Sequence, residues 1–243
     1  MPKLLRDVKP DAGSDFQPGA ISRNPELAAL FAVVANHWTR LELELGRTLA
    51  EFLHTQPEIG VEIYGSITSI TAKLALVART AAVANPPLTD TEHRVLGALL
   101  QMLKQLYEKR NIIEHGMWGY SAQLPDALLR IKLLDFLRWD VMAQQQIQLQ
   151  KWDPVYPRIG MAFPNQVVDV YYKDDFTQLV EQLYNLGTAF SDFRLWRDPR
   201  QSHAHDVLHQ RLCTLPQIRE ILSPTLQEST PSVPKQSPPK EQR

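Results

Sequence analysis

A single cysteine, Cys213, among 243 residues leaves no partner for an intramolecular disulfide, so the fold has to rest on packing alone. That usage agrees with a reducing compartment. Charge of one sign is missing too: 26 Lys and Arg stand against 27 Asp and Glu, for a formal net charge of −1 and a pI of about 6.7. Nothing global draws such a chain to nucleic acid or to an anionic membrane, and any nucleic-acid site has to be local. Long hydrophobic runs are also absent. No stretch approaches the roughly 18 uninterrupted apolar residues of a membrane span, and the opening MPKLLRDVKPDAGSDF contains no signal-peptide core. The expectation is a cytoplasmic protein without a membrane partner. No internal repeat occurs at solenoid spacing.

What is present reads mainly as helix. Hydrophobic residues at 44% and charged residues at 22% suit one globular domain with tails. Asn24, Pro25 and Glu26 make a helix start: a capping side chain, a proline at the first helical position and an acid at the positive end of the dipole. Leu27, Leu30, Phe31, Val34, Trp38, Leu41, Leu45, Leu49 and Phe52 follow at steps of three and four, which predicts a long amphipathic helix ending near Pro57. A second stripe, Ile63, Ile67, Ile70, Leu74, Val77 and Ala81, predicts one helix that stops before Pro86 and Pro87. Thr89 and Glu92 have capping-box spacing and open a third stripe at Leu96, Leu99, Leu103 and Leu106, with Gly116 expected as its left-handed stop.

Between Ser121 and Tyr172, ALLRIK and VVDVYY read as short strands and LLDFLRWDVMAQQQIQLQ as a helix between them. Phe176, Leu179, Leu183, Leu186, Phe190 and Phe193 form a fourth helical stripe that closes at Asp198 and Pro199. Four such helices bury one core most simply as a bundle. The predicted organisation is a polar lead (1–20), a helical domain with a strand-containing insertion (21–199), a terminal helical segment (200–222) and a disordered Pro/Ser/Gln-rich tail (223–243).

The third stripe carries the candidate site. Continued by three and four, it reaches positions 110 and 113, and position 110 is arginine. A charge on an apolar stripe needs a partner. Glu114 one turn later, a carboxylate from another helix or chain, and a bound phosphate that matches the guanidinium fork are the three candidates. Asn111 and His115 lie four apart on one face, and His115 falls where the negative helix terminus favours imidazolium. With a reference pKa of about 6.5, a histidine can serve as acid or base near neutrality. The plainer reading is an Arg110–Glu114 pair, with His115 covering the last carbonyls.

The phrase RNIIEHGMWG resembles the R-N-x-x-x-H-G-x-W-G variant of the R-x(4–6)-H motif of the HEPN superfamily, whose members are small helical bundles, many of them metal-independent ribonucleases. At motif level the resemblance covers Arg110 to Gly119, and in architecture residues 20–198. It implies an up-and-down HEPN-like bundle in which His115 activates a ribose 2′-hydroxyl or protonates the leaving 5′-oxygen, Arg110 stabilises charge on the phosphate and Asn111 orients the site. RNA would be the substrate, neither metal nor cofactor would be needed, and a toxin or defence role restrained by a regulatory protein would fit. A symmetric homodimer through this helix would line one cleft with two copies of Arg110, Asn111 and His115. The alternative is a catalytically silent HEPN-like bundle that binds a nucleotide, RNA or a protein.

Other constellations are weaker. His205, His209 and Cys213 share helical spacing, with His203 just before them, and soft ligands of this kind suit zinc. Their order matches no metal motif, however, and a solvated terminal helix is the preferred reading. Trp38 falls on the first stripe and is expected in the core, while Trp118 could plug the bundle end or stack on a base. Lys104, Lys109 and Arg110, interleaved with Glu108 and Glu114, are too few for a nucleic-acid patch.

Overall fold

A computed structural model describes residues 2–17, 19–152 and 165–223; the expected disorder of the tail beyond Ser223 lies outside them. The chain opens with β1 (Lys3–Leu4) and the one-turn α1 (Leu5–Val8), followed by the long α2 (Pro25–Phe52). The Leu27 amide donates to Asn24 Oδ1 at 3.1 Å, so the asparagine cap and the Pro25 start operate as the sequence indicates. The predicted second helix is two, α3 (Pro57–Ser66) and α4 (Ile70–Ala82). Ile67 turns extended (ψ 126°) and Ser69 caps the new helix by accepting the Ala72 amide, which competes with continuation through 67–69.

The next helix, α5 (Asp90–Glu114), opens on the predicted capping box: the Glu92 amide donates to Thr89 Oγ1 at 3.2 Å and the Thr89 amide to Glu92 Oε2 at 2.6 Å. It leads into β2 (Gly116–Gly119), β3 (Ala127–Lys132), α6 (Leu133–Trp152), β4 (Val168–Tyr172) and α7 (Lys173–Arg197), with α8 (His205–Leu212) and α9 (Pro216–Leu222) closing the described chain. ALLRIK, VVDVYY and the intervening helix thus form as their patterns indicate. The fourth stripe forms α7, which Asp198 terminates.

The protein is mainly helical, with one small antiparallel sheet ordered β1-β4-β3-β2. Because side chains alternate along a strand, the sheet serves two cores. Leu128 and Tyr171 face the helices and join Trp38, Leu41, Leu45, Leu99, Leu103, Phe176 and Phe190 in the main core. Ala127, Leu129, Ile131, Val168 and Val170 face the other way, onto Leu5, Ala12 and Phe16. The polar lead adds an edge strand and buries Leu5, Ala12 and Phe16 over the far side of the sheet. The terminal segment is not a solvated helix. Leu208, Leu212 and Ile218 are buried, the last two in the main core. Two apolar positions per short helix suffice for docking but give little periodic signal. Among the described residues no helix is long and apolar enough to cross a membrane.

Candidate functional site

The end of α5 presents Arg110, Asn111 and His115 in adjacent turns. Leu103, Leu106 and Ile113 of the same helix are buried, whereas Arg110 keeps 24% of its side-chain surface exposed. Of the three candidate partners, Glu114 is the one used: its carboxylate forms an ion pair with the Arg110 guanidinium. Two further contacts hold the group. Arg110 Nη1 donates to Asn111 Oδ1 at 3.2 Å, and Cζ lies 5.5 Å from the Trp38 ring centre, over an aromatic face that favours a cation. Arg110 Nε, by contrast, is shielded and has no hydrogen-bond partner among the described residues. His115 is the C-cap, its amide donating to the Asn111 carbonyl at 3.0 Å, and its imidazole is exposed.

Gly116 does not act as a left-handed stop. It begins β2 opposite Lys132, and the helix ends at His115 with φ −101°. The glycine is needed for closeness instead: a Cβ there would come within 2.6 Å of Arg130 Nε. Arg130 is the residue that sequence reasoning missed. From β3 its Nε donates to the Ile112 carbonyl at 2.6 Å and its Nη1 to Asp169 Oδ2 at 2.9 Å, so one buried guanidinium caps the C-terminus of α5 and ties it to β4. The only signal for it was a charge inside the otherwise apolar ALLRI. Trp118, left open between a plug and a base platform, is a plug: Nε1 donates to the Ile113 carbonyl at 2.9 Å, and its ring meets Phe31, Tyr171 and Phe176 at 5.7, 5.1 and 5.8 Å. Trp38 is buried, as its stripe position indicates.

The remaining candidates are dispersed. Lys104 is exposed and Lys109 donates to Gln182 Oε1 at 2.9 Å, away from Arg110. His209 Nδ1 stands 3.9 Å from Cys213 Sγ, and the His205 and His209 rings pack beside Trp196. Among the described residues no group of three or more His, Cys, Asp or Glu could hold a metal.

At the other end of α2, burial raises the Glu51 carboxyl above its ordinary value, with Arg197 at 3.0 Å opposing the shift. The folded state therefore holds this proton more tightly than the unfolded chain does. Its contribution to stability is full below about pH 4.5 and declines as pH rises through the folded value. Glu51→Gln, which cannot titrate, is expected to gain stability relative to wild type as pH rises above that point; thermal melts across pH 4 to about 8 read this out.

No protein-family model matches the chain, and no curated protein or solved structure matches it significantly, so the functional reading rests on these residues.

Proposed function

We propose that the protein is a HEPN-like, metal-independent endoribonuclease whose working groups are Arg110, Asn111 and His115, acting as a homodimer. The observation that carries the reading is the hydrogen-bonded Arg110–Asn111 pair at the rim of the helical core, with the exposed His115 one turn on and the Arg110 Nε unsatisfied. An RNA phosphate entering here would take the place of the Glu114 carboxylate, since both offer the guanidinium two oxygens. His115 would then remove the 2′-hydroxyl proton as the 2′-oxygen bonds to phosphorus. The bond to the 5′-oxygen breaks, and that oxygen leaves with a proton. A second His115 across a two-fold axis would supply it. The products are a 2′,3′-cyclic phosphate and a 5′-hydroxyl end.

The test is cleavage of single-stranded RNA by the purified protein in EDTA. His115→Ala is expected to lower the rate by about 10² to 10⁴ and Arg110→Ala by about 10² to 10³, both with native circular dichroism. Light scattering should give twice the chain mass. Undiminished cleavage in both variants would remove the site, and a strict monomer would remove the composite cleft.

A second reading, a silent HEPN-like bundle that binds a nucleotide, RNA or a protein, is favoured by one observation: Glu114 already occupies Arg110. Glu114→Gln separates the two. Where Arg110 serves phosphate, neutralising its competitor should tighten RNA binding and raise cleavage. Where the pair is structural, the variant costs up to about 1 kcal/mol, as partly exposed ion pairs do, and RNA cleavage stays absent.

A further inference from the structure

Residues of α2, α7 and α8, none of them Arg110, Asn111 or His115, line a cleft of about 450 Å³, within the size range of small-ligand sites. Its walls are unusually rich in guanidinium. Arg40 and Arg47 come from α2 and Arg211 from α8. Glu44 is the single carboxylate on the wall, and it is shared by Arg47 at 2.6 Å and Arg194 at 2.7 Å. Arg211 is anchored at 3.0 Å by the buried Asp192. Three guanidiniums, those of Arg47, Arg194 and Arg211, thus share two carboxylates. Arg40 is exposed and has no ion-pair partner among the described residues. A cleft with a surplus of positive charge, part of it pre-oriented by buried acids, is suited to a phosphate.

Two features of α7 point the same way. The Thr39, Thr48 and Thr80 hydroxyls each donate to the carbonyl four residues back, at 3.1, 2.8 and 2.8 Å, the usual outlet in a helix. Thr188 and Ser191, which line the cleft, make no such bond among the described residues and remain available to a ligand. Gly187 lies on the cleft wall beside them. A glycine inside a 25-residue helix costs stability relative to alanine, yet a Cβ at 187 would meet nothing within 4 Å. A side chain at 187 would therefore extend into open space on the cleft wall. At the rim stands Tyr184, 54% exposed, with the His37 ring edge-on at 5.9 Å, a platform of the kind on which a flat heterocycle stacks.

We propose that the α2–α7 cleft binds a mononucleotide, its phosphate held by Arg40, Arg47 and Arg211 and its base resting on Tyr184. The site shares no residue with the α5 motif, so it stands or falls independently of the ribonuclease reading.

The experiment is calorimetric titration of the full chain with the four ribonucleoside monophosphates, with inorganic phosphate, with adenosine and with a short oligoribonucleotide. Monophosphates should bind more tightly than either phosphate or adenosine alone. Arg40→Ala should weaken them at least about tenfold, the loss of one charge-assisted contact. Gly187→Leu, whose added Cβ meets nothing within 4 Å, should obstruct the cleft and abolish binding, and Tyr184→Ala should reduce the affinity for nucleotide to that for phosphate. Arg110→Ala and His115→Ala should bind as wild type does, which keeps failure here distinct from failure of the catalytic site. Absence of binding at millimolar nucleotide overturns the proposal. So does phosphate binding as tight as nucleotide binding, which would leave Tyr184 no role, or tighter binding of the oligoribonucleotide that Gly187→Leu also abolishes, which would make the cleft an RNA groove.

Discussion

Arg130→Ala is expected to lower the unfolding free energy by about 3 kcal/mol, read from urea denaturation. Breaking a buried ion pair costs about 3 to 5 kcal/mol because a desolvated charge is left alone; Asp169 keeps 27% of its side-chain surface in water, which argues for the lower end. The loss reaches beyond the pair. Arg130 also satisfies the Ile112 carbonyl at the terminus of α5, and without it the turn that carries Asn111 and His115 loses its tie to the sheet. Hydrogen exchange at residues 111–116 should therefore speed up more than exchange in the middle of α5. Combining Arg130→Met with Asp169→Val should recover part of the stability, since neither charge is then stranded. A variant as stable as wild type would mean that the guanidinium contributes nothing net.

Gly60→Ala is expected to cost roughly 3 kcal/mol, the upper end for overpacking, by the same measurement. Here α2 and α3 meet backbone to backbone. A Cβ on Gly60 would fall 2.7 Å from the Ala50 amide nitrogen and closer still to the Gly46 carbonyl oxygen, and a Cβ on Gly46 would fall 2.7 Å from Val61 Cα. Backbone atoms cannot turn aside as a flexible side chain can, so the helices have to separate. Moving α3 off α2 would also loosen the buried Tyr64, which α3 contributes to the main core. Alanine is the better helix former, so any gain in intrinsic propensity works against this cost. Gly65 on the same helix is the control: nothing lies within 4 Å of its added Cβ, and Gly65→Ala should be neutral or mildly stabilising.

The legible helices share one property, signals carried by residues three or four apart. Asn24 with Leu27, Thr89 with Glu92, and the stripe from Phe176 to Phe193 are all of this kind. The break between α3 and α4 is invisible in the stripe because Ile63, Ile67 and Ile70 keep the spacing across it, and the Ser69 cap creates it. GMWG gave no warning of a strand. Four residues with two glycines have little strand preference of their own, and they extend only because Gly116 through Gly119 pair with Leu129 through Lys132. The lead segment is similar: Lys3 and Leu4 become a strand by pairing with Asp169 and Val170, far along the chain.

By itself, then, the sequence determined that the chain is mainly helical, that α2 and α5 start at Asn24 and Thr89, that two short strands flank a helix, and that an arginine, an asparagine and a histidine stand together at the end of α5. Local caps and periodic burial dictate all of that, and both are written in neighbouring residues. Only the tertiary structure decided that the Trp38 face takes up Arg110 beside Glu114, that Trp118 closes the bundle, that Arg130 pins the motif and that α2 and α8 bring arginines to one cleft. The Arg130 contacts join groups that are distant in sequence, 18 residues from Arg130 to Ile112 and 39 from Arg130 to Asp169. Which of several chemically adequate partners a guanidinium meets is set by how the helices and the sheet pack, and no local pattern encodes it.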